Sequence, residues 1–267
     1  MLHQDSLNMS GMNDVQGESD SDVDSWVSPP ENITLEDDDV HVWRVLLSRN
    51  ASQLQSLLHT LAADERDRAG RFHFERDRER FIIAHGALRS ILSCYLNLEA
   101  SLLSFSYSSY GKPALAIGAG DDELRFNMSH SGSLALIAVT RGREIGVDVE
   151  RINGAVAHEQ IAERFFSPAE VAKLRSLPAD MQAEAFFHCW TRKEAYIKGR
   201  GEGLSLALDQ FDVSLIPGEA AALLSTRDDP QEAARWSLLK LSPGPSYVAA
   251  LAVKGHDLNI KCWQWQE

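Results

Sequence analysis

Three carboxylates and one lysine have the types and spacing best suited to chemistry: Asp148, Glu150, Glu194 and Lys198. Glu194 and Lys198 lie in Phe186-Phe187-His188-Cys189-Trp190-Thr191-Arg192-Lys193-Glu194-Ala195-Tyr196-Ile197-Lys198. This stretch reads as a helix, because Phe187, Trp190, Glu194 and Ile197 fall on one face. A carboxylate inside an apolar stripe is costly unless something compensates its charge. Lys198 offers one compensation, since Glu before Lys at i, i+4 is the favourable order for a surface pair. The second cluster offers another. Glu144 to Ile152 alternates and is rich in β-branched residues, so it reads as a strand. Asp148 and Glu150 then point to one side, with Val147 and Val149 facing a core on the other. Like charges at i, i+2 repel. A solvated face tolerates that repulsion, and a divalent cation removes it. Mg²⁺ takes few carboxylates and keeps places for water and phosphate oxygens. Asp148, Glu150 and Glu194 together would form such a half-shell.

The elements that must position these groups follow from the rest of the chain. His41 to Leu47 alternates as a strand. Ser52 to Ala63 is a helix with Leu54, Leu57, Leu58 and Leu61 on one face. Residues 64 to about 98 are helical in one or two pieces. Leu102 to Ser108 is a strand, followed by a turn at Tyr110-Gly111-Lys112-Pro113. Leu124 to Gly132 leads into an apolar strand, Leu134 to Thr140. A short helix covers His158 to Phe166. Ser167-Pro168-Ala169-Glu170 is a capping box with Pro at the first helical position, opening a helix to about Leu177. Pro178 precedes the long helix, and Gly199, Gly201 and Gly203 end it. Further strands are expected near 211–215, 234–241, 247–253 and 260–265, with a loop over 218–230.

Composition narrows the function classes. The formal net charge of −13 is uneven: residues 1–40 hold 11 Asp and Glu and no Lys or Arg, leaving 28 acids against 26 bases. The body therefore lacks the basic excess expected for nucleic-acid backbones. Residues 1–38 are expected to be a disordered acidic leader, with Trp26 as an exception able to dock on the body. Three cysteines without a C-x-x-C pattern fit a reducing, cytoplasmic compartment. No secretory signal is expected at the N-terminus, and no apolar run reaches membrane-spanning length. Ser129 beside His130 does not make a hydrolase: neighbours on a strand face opposite ways, and no G-x-S-x-G elbow exists.

G-V-D-V-E at 146–150, R-F-F-S-P-A-E beginning at Arg164, and W-T-R-K-E-A-Y-I-K-G-x-G-x-G-L from Trp190 to Leu204 occur in one order. Together they resemble the 4'-phosphopantetheinyl transferase superfamily. S-Y-G-K-P and F-N-M-S-H-S-G resemble its Sfp type, and the likeness runs from about Val40 to the C-terminus. The resemblance implies an α+β fold of two similar α/β halves related by a pseudo-twofold, 39–142 and 143–267, with the ligand cleft between them. It implies a Mg²⁺-dependent transfer of 4'-phosphopantetheine from coenzyme A to a serine of an acyl- or peptidyl-carrier domain, releasing 3',5'-ADP. Asp148, Glu150 and Glu194 would hold the metal, with Glu194 and Lys198 catalytic. Coenzyme A contacts would fall to Arg68, Arg80, Lys112, Ser129, His130, Asp148 and Lys198. At the family's basic 3'-phosphate positions this chain has Glu65 and Arg68, with Arg66 as an alternative cation. A carboxylate-cluster nuclease and a carrier-binding module with a decayed site are the competing readings. Two halves in one chain suggest a monomer.

Overall fold

The computed structural model describes residues 25–116, 123–154 and 158–266. In chain order the regular elements are β1 (Asp39–Leu46), α1 (Ala51–Thr60), α2 (Ala63–Ala69), α3 (Glu75–Leu96), β2 (Phe105–Tyr107), β3 (Pro113–Leu115), β4 (Leu124–Ser131), β5 (Leu134–Arg141) and β6 (Ile145–Arg151). Then follow α4 (His158–Phe165), α5 (Pro168–Ser176), α6 (Ala179–Arg200), β7 (Phe211–Val213), β8 (Leu223–Thr226), β9 (Trp236–Leu241), β10 (Tyr247–Lys254) and β11 (Asn259–Gln264).

Period-two alternation builds the layers. One sheet has the order β11-β1-β5-β4, with β11 parallel to β1, and a second has the antiparallel order β6-β10-β9. Val40, Val42, Leu134, Leu136 and Ala138 of the first sheet meet Ile145, Val147, Val149, Leu251 and Val253 of the second in a shared core. The intervening residues Trp43, Val45, Ala135 and Ile137 face the other way, onto a cluster that includes Ile83, Ala87 and Ile91 of α3. Val248, Ala250 and Ala252 face outward from the second sheet onto Phe186, Ala195 and Ile197 of α6. The result is a mixed α+β arrangement of helix, sheet, sheet and helix.

The last strand, β11, returns to the sheet of the first, although it belongs to the C-terminal stretch of sequence. Beyond it, Val27 bridges Trp263, and the Trp26 indole donates to Ser242 O at 2.8 Å under the Arg44 guanidinium. Ile33 and Leu35 pack on the first core. The described part of the expected leader, 25–38, therefore lies along the body; residues 1–24 fall outside the described residues.

Two local expectations change. The strand expected over 102–108 shortens to β2, because Ala100–Leu102 forms a 3-10 turn. The stretch 218–230, expected to be a loop, contains β8, paired with β7. Leu223 and Thr226 are its buried ends, and four residues are too few for periodicity to register.

Candidate active site

The approach of α6 to β6 brings the charged groups together. A Cβ placed on Gly146 would collide with the Ala195 carbonyl and the Gly199 amide, so only glycine lets the helix lie this close. The helix is also pinned in rotation. Lys193, beside Glu194, is fully buried: it pairs with Glu170 at 2.8 Å and donates to Leu208 O and Phe211 O. Glu170 is the far member of the capping box that opens α5, its side chain accepting from Ser167 N at 2.9 Å. Gly201, at φ 73°, ends α6 in the left-handed region.

A seam of β4 side chains joins β4 to β6. Alternate residues on one face of β4 bond across in turn. Asn127 Oδ1 accepts from Val147 N at 2.9 Å. Ser129 Oγ donates to Asp148 Oδ1 at 2.8 Å, and Ser131 Oγ donates to Glu150 Oε2 at 2.7 Å. Lys198 Nζ completes the cluster, 2.6 Å from Asp148 Oδ1 and 2.9 Å from Ser129 Oγ. The ion pair expected between Glu194 and Lys198 is not the one formed. Asp148 is buried and in reach, so its carboxylate takes the ammonium. Glu194 makes no hydrogen bond or ion pair among the described residues.

All three carboxyls sit above their ordinary pKa. Burial is the main cause for each. Lys198 and Ser129 oppose it at Asp148, and Ser131 opposes it at Glu150, which Asp148 also repels. Asp148 and Glu150 both repel the Glu194 charge. Asp148 Oδ2 is buried without a hydrogen-bond partner among the described residues. Beside the cluster opens a pocket of ≈ 270 Å³, bordered by Tyr110 to Pro113, Asn127, Met128, Glu194 and Lys198.

A buried acid-lysine cluster with a pocket at its edge suits anionic chemistry, and comparison with known proteins identifies the chain. The family model described as the 4'-phosphopantetheinyl transferase superfamily matches residues 144–252, and that for the 4'-phosphopantetheinyl transferase N-terminal region matches 48–142. The chain belongs to this superfamily. The 4'-phosphopantetheinyl transferase HetI of Nostoc sp. is 44% identical over 241 residues, covering 90% of this chain and 98% of the relative. The 4'-phosphopantetheinyl transferase Sfp of Bacillus subtilis is 32% identical over 176 residues, 65% of this chain and 76% of the relative. The human L-aminoadipate-semialdehyde dehydrogenase-phosphopantetheinyl transferase is 24% identical over 213 residues, 75% of this chain and 69% of the relative. These likenesses make the chain a phosphopantetheinyl transferase of the Sfp type.

The transferase places its expected site residues unevenly. Lys112 reaches the same region as α6: its ammonium donates to Gly199 O at 2.9 Å and pairs with Glu144 at 3.1 Å. His130 lies on the opposite face of β4 from Ser129 and keeps solvent contact. Its pKa is lowered, first by desolvation and then by the charges of His85, Lys198, Arg80 and Arg68, which therefore lie within electrostatic reach of it. Arg68 is exposed, with its guanidinium 5.3 Å over the Phe81 ring, and Arg80 is half-buried. Arg66 instead donates to Leu61 O at 2.7 Å. Asn127, Ser131 and Gly146 stand in the motifs read from sequence, and Glu144 opens the strand, but none of the four was given a role of its own. The period-two spacing of Asn127, Ser129 and Ser131 is the signal that could have found two of them.

No three His, Cys, Asp or Glu side chains among the described residues stand close enough to hold one ion as they are placed here. The side chains themselves suit a hard cation: three carboxylates, mutual repulsion, and one buried carboxylate oxygen without a partner among the described residues.

Burial of Glu194, with the repulsion of Asp148 and Glu150, gives a pH test. Its carboxyl binds a proton more tightly in the folded than in the unfolded chain. Stability is therefore lost as pH rises above 4.5 through the raised folded value. Glu194→Gln is expected to melt higher than the parent near neutral pH without metal. That gap should close as the pH falls toward 4.5. Melting temperatures of both proteins across the acid range check this; a constant gap would place the effect elsewhere.

Proposed function

We propose that this transferase moves 4'-phosphopantetheine from coenzyme A to a serine hydroxyl of an acyl- or peptidyl-carrier domain, with Mg²⁺, and releases 3',5'-ADP. The observation that carries this reading is the Asp148–Lys198–Ser129 cluster beside the pocket, with Glu150 and Glu194 at its edge. Asp148, Glu150 and Glu194 would hold the Mg²⁺, whose chemistry when bound is to neutralise charge on the pyrophosphate. Lys198 can turn from Asp148 to the phosphate that leaves with the nucleotide, where its ammonium meets growing negative charge. Ser129 steers Asp148, so its hydroxyl acts on coenzyme A through that carboxylate. Glu194 would also accept the serine proton, directly or through a water. His130, Arg80, Arg68 and Lys112 line the way for the phosphates, since cations with several donors suit phosphate oxygens.

We read the chain as two α/β halves related by a pseudo-twofold, 39–142 for coenzyme A contacts and 143–267 for metal and catalysis. Two features support this: each principal sheet carries one 22-residue helix, and the family models adjoin at 142 and 144. The ligand cleft would lie between the halves, and the protein would act as a cytoplasmic monomer without nucleic-acid or membrane partners. No helix among the described residues is long and apolar enough to cross a membrane. The direct test is chromatography of the nucleotide product. 3',5'-ADP should form only when apo carrier, coenzyme A and Mg²⁺ are all present, in equal amount to the carrier consumed. Release without carrier would indicate hydrolysis instead.

A further inference from the structure

Glu65 is a carboxylate near the cations Arg68 and His85, and it is almost fully buried, at 4% exposure. Its two oxygens are both committed. Oε2 accepts from Arg89 Nε at 2.6 Å and from Ala62 N at 3.0 Å. Oε1 lies 2.9 Å from His85 Nδ1. Arg89, 1% exposed, is itself fixed by donating to Ala100 O and Leu103 O. Glu65 and Arg89 thus neutralise each other inside the protein. The carboxylate remaining charged fixes the His85 tautomer: Nδ1 carries the proton and donates inward.

The other edge of that imidazole is free. His85 Nε2 makes no hydrogen bond among the described residues, and it is not among their buried unpartnered atoms. The side chain keeps 18% exposure. Its ring stacks on Phe81 with centroids 4.0 Å apart, and Phe81 also lies under the Arg68 guanidinium. His85 and Arg68 therefore sit on one aromatic platform, and both act electrostatically on His130. Lys198 acts on His130 as well, so His130 is within electrostatic reach of both the Asp148–Lys198 cluster and the Phe81 platform. Coenzyme A carries one further phosphate, a monoester, beyond its pyrophosphate.

We propose that His85 is a binding residue for the phosphate monoester of coenzyme A, and that Glu65 is the positioning residue that aims it. This rests on the coenzyme A reading above. With Nδ1 held by Glu65, Nε2 is the nitrogen left to face the ligand, and a proton shared there between the ring and the monoester makes one charge-assisted hydrogen bond. The negative charge of Glu65 does not oppose the ligand, because Arg89 compensates it.

Calorimetric titration with coenzyme A and with 3'-dephospho-coenzyme A tests this on the full chain, using the parent, His85→Gln and His85→Arg. His85→Gln is expected to weaken coenzyme A about tenfold, the scale of one charge-assisted hydrogen bond, and to leave the dephospho ligand within about twofold. His85→Arg keeps a cation on the platform and should restore most of the preference for the monoester. Equal weakening of both ligands, or no weakening of either, would overturn the assignment. Failure of the parent to bind either ligand would instead overturn the coenzyme A reading, and His85 with it.

Discussion

Lys198→Ala is expected to lower kcat by about two orders of magnitude or more, about 2.7 kcal/mol, while coenzyme A affinity is nearly kept. The resting structure gives this a sharper form. Lys198 is held by Asp148 and Ser129, so its ammonium is already positioned beside the pocket. An interaction that strengthens as the nucleotide phosphate gains charge raises kcat without lowering KM. Were Lys198 only a counter-charge for Asp148, its loss would alter stability and metal response and leave turnover close to the parent. Lys198→Arg should rescue poorly, because a planar fork does not fit between Ser129 and Asp148 as a compact ammonium does. Steady-state kinetics at saturating carrier separates these outcomes.

Asp148→Asn should abolish most activity, at least about a hundredfold in kcat, without unfolding the protein. Asn keeps an oxygen for the Ser129 hydroxyl and removes a buried charge whose raised pKa marks it as costly at neutral pH. The partner left behind is not trapped, because the Lys198 side chain is 28% exposed and can turn to water. The metal-free melting temperature should therefore hold or rise. The added stability conferred by Mg²⁺ and coenzyme A together should disappear, since a ligand stabilises only through the state it binds. A variant that fails to fold would make the Asp148 pairing structural.

The long helix and the D-x-E strand were legible because each announces itself locally. Helical spacing put Glu194 and Lys198 one turn apart, and alternation put Asp148 and Glu150 on the side away from Val147. Partner choice was not legible. Lys198 has Glu194 four residues away and Asp148 fifty away, and the nearer one is a sequence rule while the observed one depends on α6 lying against β6 at Gly146. The same limit applies to Ser129: its strand face could be inferred, but the approach of β4 to β6 that gives it Asp148 could not. Trp26 docks because its neighbour Val27 bridges Trp263 of β11 and Ser242, the residue after β9, offers its carbonyl, contacts across most of the chain. Acidic composition describes the residues around Trp26 and carries no information about that edge. Glu65 is the clearest departure. By position it reads as a carboxylate where a cation belongs, and its burial against Arg89 and His85 is invisible until α2 and α3 are packed together.

The most direct measurement is the intact mass of an apo carrier domain after incubation with this protein, coenzyme A and Mg²⁺. The carrier should gain the mass of one phosphopantetheinyl group, and a carrier whose acceptor serine is replaced by alanine should gain nothing. An unchanged mass for the intact carrier, with coenzyme A bound and Mg²⁺ present, would contradict the account.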